Sequence, residues 1–275
     1  MRVGFIGLGS QGGAMARRIV EAGYETTLWA RRPESLEPYS DTAAKIAGSP
    51  AELGAASDLA CVCVVNDADV REVIDGEQGI LRGMSAGGVI AVHSTVHPDT
   101  CRELAEKAAA QGISLVDAPV SGGGMGAAAG TLLVMVGGNN DVVARVRPVF
   151  ETYGNPVVHL GGIGAGEVTK LLNNLLFTAN LSTASSTMAL GEKLGVDPVR
   201  LAEVLARGSG NSFALGRITA TAGSLDQIAG HAGELLRKDV TLSASLADAA
   251  GATVGSVLDA ADATLAQMNY PRQDS

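Results

Sequence analysis

The sequence runs to 275 residues, enough for one large domain or two ordinary ones with proper cores. Apolar residues make up 46% and aromatic residues 3%, so the interior must be built from Ala, Val, Leu and Ile rather than from rings. A formal net charge of −9 with a pI near 4.9 argues against a nucleic-acid or basic membrane-surface protein, both of which need clustered positive charge, and favours small-molecule work.

The chain opens on a β-rich run over residues 2–6, followed at once by Gly7-Leu8-Gly9-Ser10-Gln11-Gly12 and a helical pattern over 11–22. GxGxxG alone is weak evidence, but between a strand and a helix it has the context that a dinucleotide's pyrophosphate requires. Gly7 allows the tight turn, Gly9 lets backbone amides approach the phosphates, and Gly12 lets helix and strand pack closely. Leu8, Ser10 and Gln11 complete this candidate cofactor loop. Arg2, the apolar stretch 3–8 and Ala14-Met15-Ala16 faintly resemble a secretory leader, yet the stretch is short, broken by Gly4 and Gly7, and followed by Arg17 and Arg18. A cytoplasmic protein with no membrane span is expected.

A second strand over 26–30 runs into Arg31-Arg32-Pro33. NAD-binding units usually end this strand with Asp or Glu, which accepts from the ribose 2′-hydroxyl. Two guanidiniums stand here instead, and planar Arg forks suit a 2′-phosphate. NADP(H) is therefore the preferred cofactor, with NAD(H) possible.

Further strands over 59–65, 89–93, 114–117, 132–136 and 157–160 alternate with helical stretches over 69–74, 98–111 and 141–152. Strict alternation means crossover connections and a mostly parallel, doubly wound sheet covered on both faces, a Rossmann-type α/β domain over residues 1–163. Cys61 and Cys63 lie two apart in an apolar run and read as packing residues. The four histidines show no metal spacing, and Pro98 makes a helical pairing of His93 with His97 improbable, so no metal is expected.

Asp117-Ala118-Pro119-Val120-Ser121-Gly122-Gly123-Gly124-Met125-Gly126 reads as a strand end followed by a glycine loop carrying one hydroxyl. Amides without side-chain cover can receive a small carboxylate, with Ser121 as an added donor. In the segment from Gly164 to Asn174, Lys170 and Asn174 lie four apart and share a helix face. Most lysines are solvated, but Leu171, Leu172, Leu175, Leu176 and Phe177 make this helix apolar nearly all round, which predicts burial, and a buried lysine tends to be functional. The helical pattern continues over 165–194 as a spine between two domains. Asp197-Pro198 supplies an N-cap and a first-turn proline for a helix over 199–206, and helices over 227–250 and 254–268 follow. Residues 164–275 are thus an all-α domain, with 271–275 expected to fray. The long apolar helix also suggests subunit contact in a homodimer or homotetramer.

The glycine motif, Ser94-Thr95 ahead of Pro98, the Asp117 and Lys170 segments, and Lys238-Asp239 occur in the order of the β-hydroxyacid dehydrogenases, and the chain resembles that family over essentially its whole length. The family includes 3-hydroxyisobutyrate dehydrogenases and tartronate semialdehyde reductases. The resemblance implies an NAD(P)-dependent dehydrogenase acting on CH–OH groups, with Lys170 as general acid/base and Asn174 holding the substrate. It implies that Ser121, Gly122 and Gly123 receive the substrate carboxylate, that Thr95 lies beside the nicotinamide, and that Lys238 closes the site on substrate and cofactor. Arg31 matches the Arg of NADP-preferring members. His93 stands where many members carry an acidic residue, which bears on substrate shape, and Ala30 where they often carry Asn. Two other readings are an imine reductase-like enzyme, whose relatives generally carry another residue at position 170, and a non-catalytic dinucleotide-binding protein.

Overall fold

The computed structural model describes residues 1–221 and 223–272. The chain divides into two compact units, Met1–Lys170 and Leu171–Ser275. In the first, strands β1 (Arg2–Ile6), β2 (Glu25–Trp29), β3 (Lys45–Ile46), β4 (Leu59–Val62), β5 (Val89–Val92), β6 (Ser114–Asp117), β7 (Val120–Ser121), β8 (Leu132–Gly137) and β9 (Gly154–Gly161) form one sheet. The helices between them are α1 (Ser10–Glu21), α2 (Pro50–Ala55), α3 (Asp67–Asp75), α4 (Pro98–Ala109), α5 (Gly123–Ala129) and α6 (Asn140–Phe150).

The strand order β3-β2-β1-β4-β5-β6-β8-β7, with β9 beside β8, reverses direction at β1, as in a doubly wound sheet. Pairing from β3 through β6 is parallel, β8 runs antiparallel to β6 and β7, and β9 is parallel to β8. Alternate residues supply two cores. Val3, Phe5, Leu59, Cys61, Val89 and Ala91 pack with α1 and α6 residues such as Met15, Ile19 and Val146. Ile6, Ala60, Val62, Ile90 and Val92 pack on the other face with Leu53, Val70, Ile74 and Leu104 from α2, α3 and α4. Such V/I/L/A-rich strands are what a parallel sheet buried on both faces requires.

The second unit is helical: most of α7 (Ala165–Lys193), then α8 (Pro198–Arg207), α9 (Phe213–Ala220), α10 (Asp226–Ala249) and α11 (Ser256–Gln267). Its core joins Leu175, Leu181, Leu215, Ile218, Leu236, Val240 and Leu265. Asp197 caps α8 by accepting the Arg200 amide at 2.9 Å.

Two expectations need correction. The long helix is not buried all round: Leu171 and Leu175 are, but Leu172 and Leu176 are more than half exposed, because a second i,i+4 stripe of the helix points away from the unit's own core. The tail is tied down at least as far as Arg272, whose guanidinium grips both oxygens of Asp262 at 2.6 and 2.7 Å; residues 273–275 lie outside the described residues. Among the described residues no helix is long and apolar enough to cross a membrane.

Candidate active site

The turn between β1 and α1 has the shape its glycines imply. Gly7 adopts φ +96°, and a Cβ there would lie 2.0 Å from the Cys63 carbonyl oxygen. A Cβ on Gly12 would lie 2.0 Å from the Gly7 oxygen, so helix and strand approach at a distance only glycine allows. At Gly9, by contrast, a Cβ would meet nothing within 4 Å, so the backbone there is open. Gly9 is the N-cap of α1 and contributes no side-chain cap, and the first turn carries no acidic residue. The helix therefore presents unsatisfied amides and the positive end of its dipole to an anion, which fits a pyrophosphate.

Beyond β2, the Arg31 guanidinium donates to Asp69 Oδ1 at 2.5 Å, across from the first turn of α3. Arg32 lies apart from that pair, 3.9 Å from Glu34 and largely exposed.

The loop after β5 is fixed at several points. The Val64 amide donates to Ser94 Oγ at 2.8 Å, the Val96 amide to Glu167 Oε2 at 3.2 Å, and the His97 amide to Asp67 Oδ1 at 2.9 Å. Thr95 sits half-buried among these anchors. His97 caps α4 through Nδ1, which accepts the Asp99 amide at 3.2 Å.

His93 does not belong to this site. It is buried in the core, stacked on Phe5 and edge-on to Phe150 and Tyr153. Its Nδ1–H donates to the Ala118 oxygen at 2.7 Å, which leaves Nε2 to accept from the Tyr153 hydroxyl at 3.1 Å. The alternation that runs through β5 turns it inward, onto the face that carries Val89 and Ala91. Burial lowers its pKa from 6.5 to about 4, against a smaller opposing effect of the Ala118 bond. Between these values the unfolded chain takes up a proton that the folded one refuses, so stability present above pH 6.5 is lost as pH falls toward 4. From pH 7 to pH 5 the wild type should lose about 2 kcal/mol more than His93→Gln in urea unfolding. Equal losses would show that His93 is not held neutral.

The glycine segment after β6, expected as a shaped loop throughout, is in part regular structure. Val120–Ser121 pairs with β8, and residues Gly123–Ala129 form α5. The turn between them uses Gly122 at φ +132° and Gly123 at φ +65°, and Ser121 is half-buried beside it. Small side chains let α5 nestle on α1: a Cβ on Gly124 would come 2.9 Å from the Ser10 oxygen, so the two glycine segments meet.

Asp117, at the end of β6, is fully buried. Its Oδ1 accepts the Gly164 amide at 2.7 Å and its Oδ2 the Glu167 amide at 2.9 Å. Burial pushes its pKa up, while these amide bonds pull it down. The carboxylate thus caps α7 and fixes the direction of the helix that carries Lys170, which is 9% exposed. Glu167, also fully buried, lies one turn before Lys170 on the same face.

In the second unit Asn174 and Lys238 are brought together by Asp239. Asn174 Nδ2 donates to Asp239 Oδ2 at 2.6 Å, and Lys238 Nζ lies 3.0 Å from Asp239 Oδ1. Asn174 Oδ1 accepts from Asn173 Nδ2 at 2.9 Å, so the orientation of its amide is set on two sides. Sequence reasoning gave no role to Asp239, Glu167 or Asp69. Only the Lys238-Asp239 pair could have drawn attention to the first.

Two family models cover the chain. One, described as the NAD binding domain of 6-phosphogluconate dehydrogenase, matches residues 2–161; the other, described as NAD-binding of NADP-dependent 3-hydroxyisobutyrate dehydrogenase, matches residues 164–274. The 3-hydroxyisobutyrate dehydrogenase of Pseudomonas aeruginosa is 34% identical over 258 residues, 91% of this chain and 87% of that protein. The 2-(hydroxymethyl)glutarate dehydrogenase of Eubacterium barkeri is 34% identical over 244 residues, 88% of this chain and 81% of that protein. The chain belongs to the β-hydroxyacid dehydrogenase family. A solved 3-hydroxyisobutyrate dehydrogenase of Mycobacterium tuberculosis, in a structure with L-serine, matches with a TM-score of 0.85 at 28% identity, covering 96% of this chain and 93% of that one. As a β-hydroxyacid dehydrogenase the protein is an NAD(P)-dependent enzyme acting on CH–OH groups. The Gly7–Gly12 turn, with its open Gly9 and uncapped α1, fits the pyrophosphate of that cofactor.

Proposed function

We propose that the enzyme is an NADP(H)-preferring dehydrogenase that interconverts a short 3-hydroxy acid and its semialdehyde or oxo acid, with Lys170 as the general acid/base. The observation that carries this reading is a lysine held 9% exposed on a helix whose start is fixed by Asp117, one turn ahead of Asn174. The dinucleotide, when bound, supplies or accepts the hydride. In the oxidising direction the substrate hydroxyl must lose a proton, and the neutral Lys170 amine takes it; in reduction the ammonium returns it to the same oxygen.

Asn174 orients that oxygen. One of its amide protons is engaged by Asp239, and the other is available to the substrate. Ser121, Gly122 and Gly123 receive the carboxylate, Thr95 lies against the nicotinamide, and Lys238 adds a cationic contact for substrate or cofactor. Gly7, Leu8, Gly9, Ser10, Gln11 and Gly12 hold the pyrophosphate, and Arg31 and Arg32 the 2′-phosphate. The NADP preference is supported by these two guanidiniums and by the NADP-dependent description of the second family model. Residues 1–163 are assigned to dinucleotide binding and 164–275 to substrate binding and dimerisation. Three free thiols, Cys61, Cys63 and Cys101, suit a reducing cytoplasm. Exposed Leu172, Leu176, Leu190, Val199 and Val204 suit burial against a second copy in a homodimer or homotetramer, and a monomer by light scattering would contradict that.

The test is a rate survey with NADP+ and NAD+ over 3-hydroxyisobutyrate, glycerate, serine and 2-(hydroxymethyl)glutarate, and with reduced cofactor over tartronate and succinic semialdehydes. At least one free acid should turn over, and its methyl ester much more slowly. Faster reduction of cyclic imines than of any aldehyde acid would overturn the proposal.

A further inference from the structure

The end of β2 lacks a carboxylate, yet the structure brings one to the same place from another element. β2 and β4 flank β1 in the sheet, so the segments that follow them stand on opposite sides of the Gly7–Gly12 turn, about 10 Å apart at ordinary strand spacing. Arg31 follows β2, and Asp69 lies in the first turn of α3, after β4. Their side chains cross that gap and meet at 2.5 Å. The ion pair therefore spans the carboxyl end of β1, the crevice in which a doubly wound sheet binds its dinucleotide.

The two partners differ in freedom. Asp69 is held at the helix start, its amide donating to Asn66 Oδ1 at 2.9 Å, and its side chain is 21% exposed. The Arg31 side chain is 67% exposed and joined to Asp69 through one terminal nitrogen. Arg31 is thus the partner able to turn toward a ligand.

The two cofactors meet this pair differently. A ribose 2′-hydroxyl can donate to the Asp69 carboxylate while the ion pair stays intact. A 2′-phosphate brings further negative charge, must draw Arg31 to itself, and is repelled by the carboxylate it displaces. We infer that Asp69 is a cofactor-specificity residue, supplying from α3 the carboxylate that β2 lacks, so that it supports NAD(H) and restrains the grip of Arg31 on the 2′-phosphate of NADP(H). This rests on the NADP reading proposed above. On this inference one site would take both cofactors with a modest preference.

The test is binding rather than turnover. The single tryptophan, Trp29, is the last residue of β2, and its emission should respond to NADPH and NADH in titrations of the full-length protein. Asp69→Asn should tighten NADPH by about threefold to tenfold, the range set by an ion pair exposed on its Arg31 side, and weaken NADH or leave it unchanged. Asp69→Ala should move the ratio of the two dissociation constants the same way, and Arg31→Ala should move it toward NADH. If both Asp69 variants leave the ratio at the wild-type value or shift it toward NADH while Arg31→Ala still lowers NADPH preference, the role of Asp69 is overturned and the NADP reading stands. If Arg31→Ala leaves the ratio unmoved, the NADP reading falls and this inference with it.

Discussion

Lys170→Ala should lose about two to four powers of ten in kcat, the span typical for removal of a general acid/base, while its affinity for NADPH stays close to that of the wild type. The split follows from position. Lys170 lies on α7, whereas the Gly7–Gly12 cradle and the Arg31–Asp69 pair are built from the first strands of the sheet. Lys170→Arg separates proton transfer from charge. A guanidinium keeps the positive charge but does not deprotonate in proteins, so this variant should be nearly as slow as the alanine one. Substantial activity in Lys170→Arg would mean that the residue acts as a fixed charge. Stopped-flow turnover and Trp29 titration give the two readouts.

Asp117→Ala should cost roughly 3 kcal/mol of stability, because two buried amides, those of Gly164 and Glu167, lose their charged acceptor together. Asp117→Asn should recover part of this. Its carbonyl oxygen can accept one amide, but its NH2 group faces the other donor. Both variants should lower kcat as well, since the start of α7 sets where Lys170 stands. Urea unfolding at pH 7 checks the first effect; a loss below about 1 kcal/mol in Asp117→Ala would show that the amides find other acceptors.

How far the sequence discloses these features depends on the range of the interactions behind them. The β1–Gly7–α1 unit and the Lys170–Asn174 spacing are local: strand period, turn glycines and helix period lie within a dozen residues. The doubly wound class is legible in the strict alternation of strand and helix patterns, whereas the strand order is set by the fold. Helix α5 leaves no helical signal because three of its first four residues, Gly123, Gly124 and Gly126, have poor intrinsic helix propensity; packing of small residues against α1 overrides it. Helix α9 was missed for a similar reason, since Gly216 and β-branched Ile218 and Thr219 weaken its pattern, while Ala214, Leu215 and Ile218 are buried in the core.

Side-chain partnerships between distant segments left no local trace. Asp117 reads as a strand terminus in sequence but is the cap of a helix 47 residues on. His93 could be placed in the core only once Phe5, Phe150 and Tyr153 surrounded it. The pairing of Asn174 with Asp239 spans 65 residues, and that of Arg31 with Asp69 spans 38. Residues of these types occur throughout the chain, and only the fold selects which of them meet.

Proton exchange at Lys170 is open to direct measurement by restoring the missing base from solution. Small primary amines added to Lys170→Ala should raise the rate of alcohol oxidation in proportion to their concentration and increasingly with their basicity. Near-wild-type turnover by Lys170→Ala before any amine is added would contradict the account, because the proton would then have another acceptor.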